Sequence, residues 1–363
     1  MKKILYILSL LPFALACSND DISSDSKLGG EEGTQVMDTH TPLDEVLERD
    51  FARPYGIRIV YRFLEREINR NYTFTPTKYE KAIVFANVFN YLFIEPYIKI
   101  TSKQFMREHS FNTVILIGEP AFAPNGSKYV GFAVAGIKIH LLEVNHLKTD
   151  NIYYLNDNML VTLYHENAHT WHQAKLFTPD YERISASDYK RDNWLQGWQG
   201  EDFLKAGFMT AYSSYDKDED FVEMIARYIV YYNASLDCDC ATTDSSLDTD
   251  GDGFNDALYT AWKAKFVNYG TLDDPTAYRP YFSTKVWEEE LKEANAKIRP
   301  TEAYTGKQKI EQKINIIKSY LSNEWNINLD ELRAEIRSRY PYVVGKDFDG
   351  NPVPRKDFTP LNN

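Results

Sequence analysis

Two histidines four residues apart, with a glutamate directly after the first, constrain the fold of this chain more than any other feature. They are His165 and His169, with Glu166 between them, in a mostly apolar run from Leu160 to Gln173. Residues four apart lie about 40° apart around an α-helix, so both imidazoles can reach one metal ion. Glu166 is placed to accept a proton from a metal-bound water. The pattern predicts a zinc-binding helix, and the alternative is an exposed helix with incidental histidines.

A zinc site of this kind needs a third protein ligand and an open fourth position. The candidates are His172 and an acid in the downstream pair Glu219 and Glu223. A straight helix cannot easily place three imidazoles around one ion. We therefore expect His172 to line the cleft or to contact a zinc ligand without binding the ion itself. Taken alone, Glu219 could instead be an acidic residue that complements a helix dipole.

The spacing of these residues resembles that of the gluzincin metallopeptidases. In gluzincins the first acid of the downstream pair ligates zinc, and the second hydrogen-bonds a zinc-bound histidine. The resemblance implies that Glu219 is the third ligand and that Glu223 orients a histidine. The segment Thr210–Glu223 also resembles the third-ligand segment of the anthrax lethal factor peptidase group, where a tyrosine upstream of the ligand assists catalysis. Tyr212 occupies that position, and Tyr215 is the competing candidate.

A broader resemblance covers most of the chain. It is similar to the substrate import-associated zinc metallohydrolase lipoproteins of Bacteroidota, and the similarity lies in Asp50–Ile57, Ile115–Gly118, Tyr164–Gln173 and Lys307–Arg339. The resemblance implies bound zinc, hydrolysis, and association with a SusC/SusD-type import complex of the outer membrane. We therefore expect a surface-anchored zinc metallohydrolase, a peptidase that acts on peptide or protein substrates.

Two other functions fit the same residues. One is a non-catalytic nutrient-binding accessory lipoprotein that keeps a zincin scaffold, and the other is a hydrolase of a non-peptide bond such as a glycan amide. Retention of Glu166 favours an enzyme, because a binding module needs the metal ligands but not the base. A nucleic-acid partner is not expected, since the formal net charge of -12 opposes binding to phosphates.

The start of the chain predicts a lipoprotein signal. A short basic start precedes an apolar run from Ile4 to Leu15, which is too short to span a bilayer well. Cys17 follows small residues, as in a bacterial lipobox, which implies removal of residues 1–16 and lipidation of Cys17. The alternative is an ordinary secretory signal. The acidic segment Ser18–Asp21 resembles the signal that sends Bacteroidota lipoproteins to the cell surface, so we expect a lipid anchor in the outer membrane.

Strand patterns come before most of the helix patterns. Strands are predicted at Gly56–Tyr61, Thr113–Gly118, Tyr129–Ala135 and Ile137–Val144. Helices are predicted at Leu43–Phe51, Tyr79–Tyr97, Asn158–Phe177, Glu219–Ala234, Asp256–Val267, Val286–Ile298, Gly306–Glu324 and Leu329–Tyr340. This order is typical of an α+β protein, here zincin-like, with an N-terminal mixed sheet packed on the histidine helix and a mainly helical C-terminal half.

The predicted parts of the chain follow from these patterns. They are a signal peptide at 1–16, a flexible tether at 17–41, an N-terminal α+β part at 42–178, a helical part with the third zinc ligand at 179–345, and a tail at 346–363.

An acidic loop in the C-terminal half predicts a second metal. Its aspartates at alternating positions resemble an EF-hand-like calcium loop; they are Asp248, Asp250, Asp252 and Asp256. The twelfth position holds Tyr259, where an EF-hand has a bidentate glutamate. The alternative is an acidic, glycine-rich surface loop without an ion.

Overall fold

The computed structural model describes residues 40–62, 75–122, 128–129, 131–134, 138–199, 202–230, 242–249, 255–258, 260–261, 305–345 and 351–361. The predicted signal peptide, nearly all of the tether and the helix at Val286–Ile298 lie outside these residues. Of the helix predicted at Asp256–Val267, residues 256–258, 260 and 261 are described and are helical.

The described strands form one small mixed sheet and one short hairpin pair. They are β1 (Arg58–Val60), β2 (Thr113–Leu116), β3 (Ala121–Phe122), β4 (Lys128–Tyr129), β5 (Gly131–Val134) and β6 (Lys138–Leu141). The sheet order is β1-β2-β6-β5. Strands β1, β2 and β6 are parallel neighbours, and β5 runs antiparallel to β6. The single strand predicted at Tyr129–Ala135 is divided, because β4 pairs with β3 while β5 joins the sheet.

The sheet is apolar on both faces, as a parallel sheet between packed layers requires. Val114 and Ile139 belong to the main core beneath the helices. Ile115 and Val60 belong to a smaller cluster on the opposite face. The alternation follows from the two-residue repeat of a strand.

Helices make up most of the remaining described chain. They are α1 (Pro42–Leu47), α2 (Arg53–Tyr55), α3 (Tyr79–Phe89), α4 (Glu95–Ile100), α5 (Lys103–His109), α6 (Ile152–Leu155), α7 (Val161–Ala174), α8 (Asp180–Arg183), α9 (Asp202–Lys205), α10 (Lys217–Val230), α11 (Thr305–Trp325), α12 (Leu329–Arg337) and α13 (Tyr340–Val344). Single π-helical turns join α1 to α2, α3 to α4 and α6 to α7; they are Glu48–Ala52, Asn90–Ile94 and Asn156–Leu160. The chain therefore has a mixed α/β fold with a small, mainly parallel sheet and many helices.

The stretch Tyr79–Ile100 is long and apolar enough to cross a membrane by length and composition alone. Most of its apolar window is buried inside the protein. Phe85, Phe89 and Phe93 form a stacked row along it, with neighbouring ring centroids 5.5 and 5.0 Å apart. Burial of such a row in the protein core accounts for its apolar character.

Helix α7 lies at the centre of the molecule. It packs against α10 on one side and contacts β5, β6 and α5 on others. Helix α11 packs on α9 and α10, and α12 packs on α4 and α10. One hydrophobic core runs from Leu43 to Phe358 through both the sheet-bearing and the helical parts. The helical part thus holds α10 firmly against the histidine helix.

Candidate metal centre

Helix α7 carries the two histidines and is fixed at several points along its length. The Tyr164 hydroxyl donates to the carbonyl oxygen of Leu92 at 2.6 Å. Near the helix end, Trp171 Nε1 and Thr170 Oγ1 both donate to the carbonyl oxygen of His109 at 2.9 Å. His109 ends α5, a helix that the sequence patterns did not predict. Because the helix is held at both ends, its histidine face has a defined orientation.

The Nε2 atoms of the two imidazoles point towards each other. His165 Nε2 and His169 Nε2 lie 3.2 Å apart. His165 is 8% exposed and the rings are nearly perpendicular, with an interplanar angle of 76°. Two nitrogens this close need either a shared proton or a shared cation between them.

The start of α10 brings a carboxylate to the same place. Asp216 Oδ1 accepts from the backbone N–H groups of Asp218 and Glu219 at 2.9 and 3.0 Å, which is the contact expected of a helix N-cap. The cap fixes Glu219 in the first turn of α10. Glu219 Oε2 lies 3.1 Å from His165 Nε2 and 3.6 Å from His169 Nε2.

The three donor atoms fit a tetrahedral zinc ion. Zinc bonds to histidine nitrogen and carboxylate oxygen of about 2.0–2.2 Å place two ligand atoms of a tetrahedron roughly 3.4 Å apart. The observed separations among His165, His169 and Glu219 are 3.1, 3.2 and 3.6 Å. Glu219 Oε2 is also buried, and it faces the two ring nitrogens rather than solvent. A cation among the three atoms would satisfy this oxygen.

Glu166 lies beside the three converging groups. It is 8% exposed, and a carboxylate oxygen of Glu166 is within 4.8 Å of a ring nitrogen of each histidine. Burial raises the pKa of the Glu166 carboxyl, while the charges of His165 and His169 lower it; the net shift is upward. The position is next to the predicted metal and is suited to a group that holds or moves a proton.

Glu223 hydrogen-bonds the ring nitrogen of His165 that is not among the three converging donor atoms. Its Oε1 accepts a hydrogen bond from His165 Nδ1 at 3.0 Å. Its Oε2 accepts from Thr210 Oγ1 at 3.0 Å and from Arg227 Nε at 2.8 Å. Burial alone would raise the pKa of Glu223, but Arg227 and His165 lower it strongly, so the carboxylate remains ionised. An ionised acceptor on Nδ1 keeps the proton there and leaves Nε2 free for a metal.

His172 holds the second histidine in a similar way. His169 Nδ1 and His172 Nε2 lie 2.8 Å apart. Burial and the neighbouring His169 lower the pKa of His172 to about 4, so at neutral pH its ring is uncharged and can accept a hydrogen bond. Its other nitrogen lies 3.9 Å from Asp218 Oδ1. The structure thus places His172 against His169 Nδ1, and its support of a zinc ligand stays a prediction.

The ionisation of the metal-free cluster follows from its burial and its acids. Burial lowers the pKa of His165, but the hydrogen bonds and charges of Glu219 and Glu223 outweigh it and raise the value to about 10. Burial raises the pKa of Glu219, but both histidines lower it to about 2. In the absence of a metal, a proton on His165 would therefore balance the buried acids.

Tyr212 is the tyrosine nearer to this cluster. It starts the 3₁₀ turn Tyr212–Ser214 that precedes α10, and its ring centroid is 6.3 Å from that of His165. Burial, followed by the charge of Glu219, raises the pKa of the Tyr212 hydroxyl far above its ordinary value, so the hydroxyl stays protonated. Tyr215 stacks on Tyr212, with ring centroids 6.2 Å apart.

Several residues of the site were not identified from the sequence. Thr210 and Arg227 complete the hydrogen bonds of Glu223, and Trp194 packs edge-to-face against Tyr212 at 5.1 Å. The four-residue spacing of Glu223 and Arg227 is a helical ion-pair signal that could have identified Arg227. No local pattern marks Thr210 or Trp194.

The predicted calcium loop is only partly described, since Asp250 and Asp252 lie outside the described residues. Asp256 Oδ2 accepts a hydrogen bond from the backbone N–H of Thr249 at 3.1 Å. This contact closes the loop within the protein itself. Calcium binding by this loop remains a prediction.

The fold and the cluster together define a class of protein. A histidine helix beside a small, mainly parallel sheet, facing a glutamate from a second helix, is consistent with a zincin-like zinc metallopeptidase fold. A family model described as "Putative zinc-binding metallo-peptidase" matches residues 36–330, and the chain belongs to that family.

A crystal structure of a "putative zinc-binding metallo-peptidase" from Bacteroides caccae is similar, with a TM-score of 0.57 and 23% sequence identity. The similarity covers 85% of this chain and 95% of that chain. At this identity the likeness concerns the fold. No curated protein matches the chain.

Proposed function

We propose that the protein is a zinc-dependent peptidase in which His165, His169 and Glu219 hold the metal. The observation that carries the proposal is the convergence of three donor atoms separated by 3.1, 3.2 and 3.6 Å. Membership of a family described as zinc-binding metallo-peptidases supports the choice of zinc and of peptide hydrolysis. When bound, zinc polarises a carbonyl group and lowers the pKa of a bound water to about 7.

Glu166 acts as the general base and then as the general acid. Its carboxyl is buried and lies within 4.8 Å of a ring nitrogen of each proposed histidine ligand, which is the position required of a group that takes a proton from a metal-bound water. Glu166 accepts the proton of the attacking water and passes it to the leaving amine. A scaffold that served only to bind metal would have no need of this carboxylate.

Tyr212 stabilises the oxyanion that develops on the attacked carbonyl. Its hydroxyl remains protonated because burial and the charge of Glu219 raise its pKa. A neutral phenol can donate a hydrogen bond to a developing negative charge, and it costs no reorganisation when it is already in place. The ring lies beside His165, on the segment that leads Glu219 into the site.

We propose that the peptide substrate binds in extended conformation beside the site. Strand β5 ends the described sheet and contacts α7, the helix that carries the histidines. The outer edge of a terminal strand can pair with an extended peptide through backbone hydrogen bonds. A substrate bound along β5 would therefore run past the histidine helix.

Substitution of Glu166 by glutamine tests the proposal. Wild-type protein and E166Q are loaded with zinc, their zinc content is measured, and both are incubated with a mixture of peptides. We expect equal zinc content and hydrolysis by the wild-type protein alone, because an amide cannot accept the proton of the water. Hydrolysis by zinc-loaded E166Q would refute the role of Glu166. Absence of hydrolysis by both would favour a non-catalytic accessory lipoprotein.

We also propose that the enzyme is anchored through a lipid on Cys17 at the outer face of the outer membrane, where it serves a nutrient-import complex. The support is the signal-like start of the chain, with its apolar run, its cysteine and the acidic residues that follow. Cys17→Ser should abolish incorporation of labelled palmitate and release the protein from the membrane fraction. Retention of the lipid label in that variant would refute the anchor.

A further inference from the structure

A loop that packs against Tyr212 lies next to the proposed metal centre. We call residues 190–198 the tryptophan loop, since it contains Trp194 and Trp198. Two hydrogen bonds fix it to the 3₁₀ turn that carries Tyr212: Lys190 N–H donates to the carbonyl oxygen of Ser214 at 2.7 Å, and Trp198 Nε1 donates to Ser214 Oγ at 2.9 Å. The loop is therefore held to the same turn as the proposed oxyanion donor.

The backbone of the tryptophan loop is strained where it approaches the site. Arg191 has a φ of 51°, in the left-handed region that residues other than glycine adopt at a cost. The guanidinium group of Arg191 lies 3.9 Å from Oδ2 of Asp216, and Asp216 is the residue that caps α10. Such strain persists where the surroundings impose it, and it clusters at functional sites. Here the strained turn directly precedes Trp194.

The side chains at the tip of the loop form an apolar surface. Trp194 is half-buried and packs edge-to-face against Tyr212, whose ring in turn lies beside His165. The next residue, Leu195, is 52% exposed. Trp198 instead packs on Phe208, with ring centroids 5.9 Å apart, and serves as the anchor. The loop thus carries an aromatic side chain that packs on Tyr212, followed directly by an exposed aliphatic one.

We propose that Trp194 and Leu195 bind an apolar side chain of the substrate next to the scissile bond. This inference rests on the proposed function, since it assigns a substrate class to the same site. One residue of an extended peptide spans about 3.4 Å, so the side chain of a residue adjoining the scissile bond can reach a ring that packs on Tyr212. The predicted substrates are peptides with an aromatic or large aliphatic residue at that position.

Two small hydroxamates test the inference without requiring turnover. Acetohydroxamate and 3-phenylpropionohydroxamate share a zinc-binding group and differ in the apolar group that would reach Trp194. Their dissociation constants are measured on zinc-loaded wild-type protein and on W194A, W194F and L195S. Y342A serves as a control, because Tyr342 is an exposed aromatic residue on α13, outside the tryptophan loop.

The expected result is a change in selectivity rather than in metal binding. The wild-type protein should bind the phenylpropionyl compound about tenfold or more tightly than acetohydroxamate, as burial of an aromatic group implies. W194A should reduce this ratio to about twofold or less at unchanged zinc content and unchanged affinity for acetohydroxamate, as loss of the burial predicts. The ratio of the two affinities should stay close to the wild-type value in W194F and fall in part in L195S. It should not change in Y342A.

Other outcomes separate this inference from the proposed function. If the wild-type protein binds both compounds equally, or if W194A keeps the wild-type ratio, the apolar subsite is refuted even where peptides are hydrolysed. If the ratio behaves as expected but no peptide is cleaved, the subsite stands and the hydrolytic function fails. If neither compound binds the zinc-loaded protein, the apolar subsite is refuted, and the zinc site is judged by the measured zinc content alone.

Discussion

Lys313 Nζ lies 2.7 Å from Asp220 Oδ2, and both side chains are fully buried. Lys313 comes from α11, and Asp220 directly follows the proposed zinc ligand Glu219 on α10. The ammonium group also donates to the carbonyl oxygen of Gly207 at 2.8 Å, and Tyr189 donates to Asp220 at 3.0 Å. A charged pair in the core therefore ties α11 to the first turn of α10.

Lys313→Met should destabilise the protein strongly, because it leaves Asp220 as a buried charge without its partner. Removal of one member of a buried pair typically costs about 3–5 kcal/mol. Unfolding by urea, monitored by circular dichroism at pH 7, measures the loss. The matched control is Lys309→Met on the same helix, which removes a more exposed pair with Asp188 and should cost about 1 kcal/mol or less. Equal losses would contradict the buried-pair argument.

The loss in Lys313→Met should also depend on pH. Burial raises the pKa of Asp220 to about 6 even with Lys313 present, against an ordinary value of 3.8. When folding raises the pKa of a carboxyl group, the protonated group stabilises the folded state at low pH. This contribution to the free energy of unfolding is lost as the pH rises through the pKa of the folded state. Without Lys313 the pKa of Asp220 should rise further. The variant should therefore recover part of its stability at pH 5 compared with pH 8.

Glu223→Ala should weaken zinc binding, although Glu223 is not itself a proposed ligand. The substitution removes the acceptor that keeps a proton on His165 Nδ1, and loss of such a partner typically lowers metal affinity about 10- to 100-fold. Competition with a chromophoric chelator measures the affinity. Glu223→Gln retains an acceptor oxygen of similar size and should fall between the wild-type protein and the alanine variant. Unchanged affinity in Glu223→Ala would contradict the proposed orientation of His165.

Zinc affinity should fall as the pH is lowered. In the metal-free protein, Glu219 and Glu223 raise the pKa of His165 to about 10, so zinc must displace a proton from its Nε2. Below that pKa, each unit of pH should change the affinity about tenfold for the one displaced proton. Affinities measured between pH 6 and 8 in a non-coordinating buffer give this slope. A flat profile would show that His165 binds zinc without releasing a proton.

The parts of the site that depend on short sequence distances could be predicted. His165, Glu166 and His169 share one helix turn, and Glu219 and Glu223 lie one turn apart near the start of another helix, so local spacing predicted them. Lys313 and Trp194 could not be identified, because their contacts with Asp220 and Tyr212 depend on the packing of distant segments. The division of the predicted strand at Tyr129–Ala135 has the same cause, since β4 and β5 choose different partners.

Tyr212→Phe should lower kcat far more than it changes KM. The hydroxyl is held protonated beside the metal centre and would donate to a charge that exists only in the transition state, so its loss removes no contact with the ground-state substrate. Removal of one oxyanion donor typically costs about 100- to 1,000-fold in kcat. Tyr215→Phe is the matched control, because Tyr215 stacks on Tyr212 at 6.2 Å, whereas the ring of Tyr212 is the one that lies 6.3 Å from that of His165. Kinetics at equal zinc content distinguish the two tyrosines: a large loss in Tyr215→Phe alone would assign the hydroxyl to that residue. Normal turnover in both variants would show that the oxyanion is stabilised without either hydroxyl.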